Sequence, residues 1–174
     1  MNTKIEDKIK FIDKYKITPL FLTDKNYPQR LLHCHDSPTL LYYRGNANLN
    51  HPKIISIVGT RNYSEYGKMI SEKIIAELQE ENILIVSGLA FGIDTIAHKA
   101  ALKNNLPTLG VLAHGLDRIY PLQNKTLAKQ IIINGGLLSE FMSDTIPDKQ
   151  NFPKRNRIVA GISDAILVIE SGIK

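Results

Sequence analysis

From Lys53 onward, short runs of β-branched residues alternate with segments of helical period, and that alternation leaves this chain few possible folds. Strands buried on both faces read as continuous apolar runs, and a helix between each pair is the signature of a parallel sheet covered by helices. The strands predicted this way are Ile54 to Val58, Ile83 to Val86, Thr108 to Leu112, Leu137 to Ser139 and Ala165 to Ile169. Between the first two, Tyr66, Met69, Ile70, Ile74 and Leu78 recur at spacings of three and four among charged residues, which predicts an amphipathic crossover helix. Asp94 is placed to cap the next helix, and a further one is expected from Asn124 to Ile133, closed by Gly135-Gly136. Another begins near Pro153. Right-handed crossovers then give an α/β, doubly wound, mainly parallel sheet with its strand-to-helix loops along one edge.

The first fifty residues follow another pattern. A short helix, Ile5 to Tyr15, leads into Thr18 to Leu22, a turn at Asp24 to Pro28, and a strand-like Thr39 to Arg44 before Gly45. Pro28 and Pro38 make this a poor continuation of the winding. Residues 1–50 are therefore expected to form an extension packed on the sheet, and residues 51–174 the Rossmann-like domain.

Composition narrows the function classes. Lys and Arg number 22 against 17 Asp and Glu, a net charge of +5 that favours an anionic partner. With Cys34 as the single cysteine there can be no intrachain disulfide, and the N-terminus lacks the apolar core of a signal peptide, so a reducing cytoplasm is expected. The longest apolar runs fall far short of the roughly 20 residues that cross a bilayer, so no membrane span is expected.

In an open α/β sheet, ligands bind outside the carboxyl ends of the strands. After the first strand come Gly59, Thr60 and Arg61: a residue that lets backbone approach a phosphate, a hydroxyl, and a cation near a helix N-terminus. Alternatively, Gly59 only makes the turn and Arg61 pairs with Glu65. The second loop, Ser87-Gly88-Leu89-Ala90-Phe91-Gly92-Ile93-Asp94, again brings small residues to a helix start. Neither loop contains G-x-G-x-x-G, and Ser87 stands where an acidic residue would hold an adenosine ribose, so an NAD-type site is disfavoured. No cofactor is expected.

His33-Cys34-His35-Asp36 has no second pair of ligands at metal-binding spacing, and adjacent residues cannot all face one ion, so no metal is expected. His98 reads as a packed helix residue. His114 sits in a loop without a Ser/His/Asp or Cys/His arrangement around it.

The run Asn151-Phe152-Pro153-Lys154-Arg155-Asn156-Arg157, set directly against Ile158-Val159-Ala160-Gly161, has the chemistry of a nucleic-acid grip. Cations pair with phosphate oxygens, and a Phe ring stacks on any base. A solvated basic helix start is the plainer reading. Lys149 and Phe152, three apart in a Pro-bounded loop, can present an ammonium and a ring on one side; Phe152 can equally plug the local core.

Taken together, Ile57-Val58-Gly59-Thr60-Arg61, Tyr66-Gly67, Ser87 to Asp94, Ala97-His98, Gly115-Leu116-Asp117, Tyr120-Pro121, Ser139-Glu140 and Phe152 to Gly161 resemble the DprA/Smf family of DNA-processing proteins. The resemblance implies an extended Rossmann-like domain that binds single-stranded DNA without strong sequence preference and protects it. It further implies a homodimer when full length, which helps load a RecA-type recombinase in natural transformation, with no reaction catalysed. By that likeness Arg61, Lys149 and Phe152 belong in the DNA pocket, with the backbones of Gly59, Gly88 and Gly92 near phosphates. Arg155 and Asn156 either join them or brace the loops from beneath.

The chain departs from the family at both ends. It closes at Glu170 to Lys174, where relatives continue with a Gly/Ser-rich loop, a helix and a strand, and it lacks their small N-terminal helical domain, so a fragment is expected. The competing expectation is a nucleotide-binding or nucleoside-monophosphate-processing enzyme on a similar fold. Such enzymes carry a Pro-Gly-Gly-x-Gly-Thr block, which is missing from this sequence.

Overall fold

The computed structural model describes the backbone of residues 2–171 and the side chains of residues 5–171. The expected break with the family beyond Ser171 therefore lies outside the described residues. In chain order the elements are α1 (Asn2–Lys14), β1 (Thr18–Phe21), β2 (Leu40–Gly45), β3 (Ile54–Gly59), α2 (Glu65–Glu77), β4 (Leu84–Ser87), α3 (Ile93–Lys103), β5 (Thr108–Leu112), α4 (Lys125–Ile133), β6 (Gly135–Ser139), α5 (Asn151–Gly161) and β7 (Ala165–Ile169).

One seven-stranded sheet runs in the order β1-β2-β6-β5-β4-β3-β7. The five strands from β3 to β7 are parallel. Residues 18–45, expected to lie on the sheet, instead lengthen it: β1 and β2 join its edge antiparallel, β2 pairing Tyr43 with Leu138. An antiparallel strand needs no crossover helix, which is why this segment lacks the period of the rest.

Side chains alternate between two cores, as a pleated strand requires. Leu84, Val86, Leu109 and Val111 pack with Ile158 and Val159 of α5 and with its C-cap Ile162 on one face. Ile57 and Ile85 pack with Ile75 of α2 and Ile96 and Ala97 of α3 on the other, and α4 adds Leu127 and Ile131 against Leu112 and Leu137. The helix change of face falls between β3 and β7, where strand order reverses. That is the topological switch point at which α/β sheets open a crevice.

Two local expectations change. Gly135 and Gly136 begin β6 rather than ending α4, whose C-cap is Asn134. The Tyr43 ring lies across Gly136, with its hydroxyl donating to Ala47 O at 2.9 Å and Gly135 O at 3.1 Å, so a side chain at 136 would occupy the ring's place. Helix α3 is capped at Gly92, and Asp94 sits inside its first turn.

Candidate nucleic-acid interface

At the carboxyl edge, the loops after β3 and β4 and the start of α5 enclose a cavity of about 360 Å³. Its lining includes Gly59, Arg61, Gly88, Phe152, Arg155 and Asn156, with Ile166 of β7 completing the switch-point side. Six of the nine residues expected to contact DNA thus share one concavity.

Arg61 is exposed, and its guanidinium carbon lies 5.5 Å from the Phe152 ring centroid. Its alternative partner, Glu65, lies instead with Lys68 at 3.9 Å. Phe152 is half-buried and lines the cavity rather than plugging the core. Tyr120 also sits beside Phe152, with ring centroids 6.3 Å apart and planes tilted by 52°. Cation and rings therefore present together an edge suited to phosphate and base. Tyr120, 49% exposed, is a member of this aromatic edge that charge patterning did not single out.

The two glycine loops interlock. Gly92 has φ +81°, and a Cβ there would collide with the Thr60 carbonyl oxygen and the Arg61 backbone. With that space empty, the Ile93 amide donates to Thr60 O at 3.2 Å and the first loop rests on the start of α3. Thr60 uses its own polar groups locally: its amide donates to Glu170 O at 2.9 Å and its hydroxyl accepts from the Asn62 amide at 3.1 Å. Ser64, the N-cap of α2, is held by Glu170, which accepts from the Ser64 amide at 2.9 Å.

Arg155 departs from the expectation of a phosphate ligand. It is 5% exposed, and its Nη1 donates to Gly88 O at 2.5 Å and to Val111 O. Its guanidinium lies so close beneath Gly88 that a Cβ there would strike it. Gly88 directly follows β4 and Val111 lies in β5, so Arg155 ties the second loop to β5. Asp94 lies buried nearby and accepts from the Ala90 amide at 3.2 Å. Burial raises the Asp94 carboxyl above its ordinary range while the Arg155 cation opposes the rise. Asn156 is exposed at the cavity and accepts from Arg155 Nε at 3.1 Å.

Lys149 is exposed in the turn before α5 and does not line the cavity. Arg157 pairs with Glu140 and with Asp36, the latter at 3.3 Å, and so joins the N-terminal segment to the end of β6. His98 is fully buried with Nδ1 2.7 Å from Thr108 Oγ1, and burial, aided by the Arg155 charge, pushes its imidazole down to about 3. His114 is likewise buried, its Nδ1 2.9 Å from Gly115 O. Among the described residues no group of three or more His, Cys, Asp or Glu is arranged to hold a metal ion. No described helix is long and apolar enough to cross a membrane.

The family model of DNA recombination-mediator protein A matches residues 18–174. The chain belongs to this family. It is 44% identical over 161 residues to protein Smf of Synechocystis, covering 88% of this chain and 40% of that protein. It is 41% identical over 159 residues to the DNA processing protein DprA of Streptococcus pneumoniae, covering 91% and 56%. The chain thus spans about half the length of the curated relatives it matches. The solved structure of S. pneumoniae DprA superposes with a TM-score of 0.86 at 40% identity, over 95% of this chain and 59% of that one. DNA processing protein A of Helicobacter pylori, described for its single-stranded DNA binding mode, superposes at 0.79 and 34% identity over 88% and 69%. These superpositions agree with the α/β, mainly parallel Rossmann-like fold expected from the sequence.

Proposed function

We propose that this family member grips single-stranded DNA in the switch-point cavity. The observation that carries the reading is the Arg61–Phe152 pair, a solvent-facing cation against a half-buried ring at the carboxyl edge. In the proposed complex Arg61 binds a phosphate and Phe152 stacks on a base. The interlocked backbones of Gly59, Gly88 and Gly92 shape the cavity, and Asn156 offers an amide at its rim. Lys149 meets the strand as it leaves. Arg155 holds the loops rather than the DNA.

The similarity of the relatives supports a wider role: in the cytoplasm, a full-length homodimer protects incoming DNA and helps deliver it to a RecA-type recombinase during natural transformation. In this role the protein binds DNA and catalyses no reaction.

The test is a titration of labelled single-stranded and duplex oligonucleotides at two salt concentrations. Tight, salt-sensitive binding of the single strand is expected. Binding unchanged in the Arg61→Ala/Lys149→Ala double variant would remove the assignment of this edge.

A further inference from the structure

Beside the switch-point cavity, separated from it by the segment from Leu116 to Leu122, lies a second and larger cavity of about 420 Å³. The Tyr120 end of that segment faces Phe152, while Leu116, Ile119 and Leu122 face the second cavity. Tyr120 and Pro121 share a small cleft with Arg61, Gly88 and Phe152, so one loop touches the edge of the first cavity at one end and lines the second along the rest of its length.

The second cavity is basic and aromatic at once. Arg44, Lys125 and Lys129 line it, and among the described residues none of the three has a carboxylate partner. Its one lining carboxylate, Asp117, is already engaged by Arg118 at 2.7 Å and by the Asp144 amide at 3.0 Å. Arg44 in turn sits 5.4 Å from the Tyr15 ring centroid. From Arg118 to Ser139 the sequence contains no acidic residue, so nothing on α4 offsets Lys125 and Lys129. Uncompensated cations beside an aromatic ring suit a chain that carries a phosphate for every base.

We propose that this cavity is a second contact surface for the same single strand, reached after it crosses Tyr120, with Lys125 and Lys129 on phosphates and the Tyr15–Arg44 pair beside a base. The proposal rests on the reading that the switch-point cavity binds single-stranded DNA. Its occupant is argued from charge complementarity and from continuity with that first surface. A strand too short to pass Tyr120 would not touch it.

The experiment compares thymidine oligonucleotides of about 6 and about 20 nucleotides, spanning the usual range of single-strand site sizes. Binding is measured by fluorescence anisotropy across a salt series, on the full chain and on a Lys125→Ala/Lys129→Ala variant, both of whose changed residues are exposed. The expected result is weaker binding of the long oligonucleotide by the variant and a salt slope smaller by about 1.4, roughly 0.7 for each lost phosphate contact, with the short one unaffected. Equal loss on both lengths, or an unchanged slope on the long one, overturns the second surface while leaving the first intact. Failure of the unaltered chain to bind either length at low salt overturns the first reading, and this one with it.

Discussion

The Arg61 guanidinium lies 5.5 Å from the centroid of the Phe152 ring, joining the loop after β3 to the first turn of α5, 91 positions away in sequence. Substituting Phe152 by Ala is expected to cost about 1 to 3 kcal/mol of single-strand affinity, the usual worth of one stacked base. Phe152→Tyr should retain most of it. Arg61→Ala should lower the salt slope by about 0.7. Anisotropy titrations of the three variants decide this, and full affinity in Phe152→Ala would show that the ring does not stack on DNA.

Arg155 predicts a different signature. Because its guanidinium is spent on Gly88 and Val111 carbonyls, Arg155→Gln should weaken binding by loosening the loop while leaving the salt slope at its original value. A slope lower by about 0.7 would instead place a phosphate on Arg155. The same variant should lose about 1 to 3 kcal/mol in urea unfolding, since it leaves the buried Gly88 and Val111 carbonyls without the charged donor that both accept from.

Gly92→Ala tests the interlock of the two loops. At φ +81° a Cβ is strained and meets the Thr60 carbonyl, so a stability loss of about 1 to 3 kcal/mol is expected, with weakened DNA binding as the first loop is displaced. Urea unfolding and anisotropy together check it. Unaltered values in both would mean that the loops are not held by this contact.

His98 predicts an acid sensitivity whose sign follows from its burial. The folded protein takes up this proton only near pH 3, whereas the unfolded chain does so near the ordinary value of 6.5. Stability from keeping His98 neutral is complete above pH 6.5 and is lost as pH falls toward 3; at pH 5 the loss is about 2 kcal/mol. Asp94, raised by burial, acts in the opposite sense. Comparison with His98→Gln isolates the histidine: the drop in urea midpoint between pH 7 and pH 5 should shrink in the variant. An identical drop in both proteins refutes the assignment.

The inner strands were legible because burial on both faces leaves an apolar run, and Thr108 to Leu112 falls where that run predicts; Ala165 to Ile169 also falls where predicted, although it is an edge strand with Ile166 and Val168 exposed. Gly135-Gly136 misled because a helix stop and a strand crossed by a ring use the same residue, and the ring belongs to Tyr43, 93 positions away from Gly136. Arg155 was partly legible. It shares the inward phase of α5 with Ile158, Val159 and Ile162, at spacings of three, four and seven, which marks it as a core-facing cation.

The sequence by itself determined the alternation of strand and helix, the family, and the edge where a ligand would be met, because periodicity and the order of short motifs are properties of neighbouring residues. The fate of each cation was decided by tertiary structure. Arg61, Arg155 and Arg157 look alike in a list of basic residues, yet one faces solvent beside a ring, one is held by two carbonyls, and one is paired with Glu140 and Asp36. A guanidinium is available to DNA only where the fold brings it no acceptors of its own, and those acceptors come from segments that meet only once the sheet has formed.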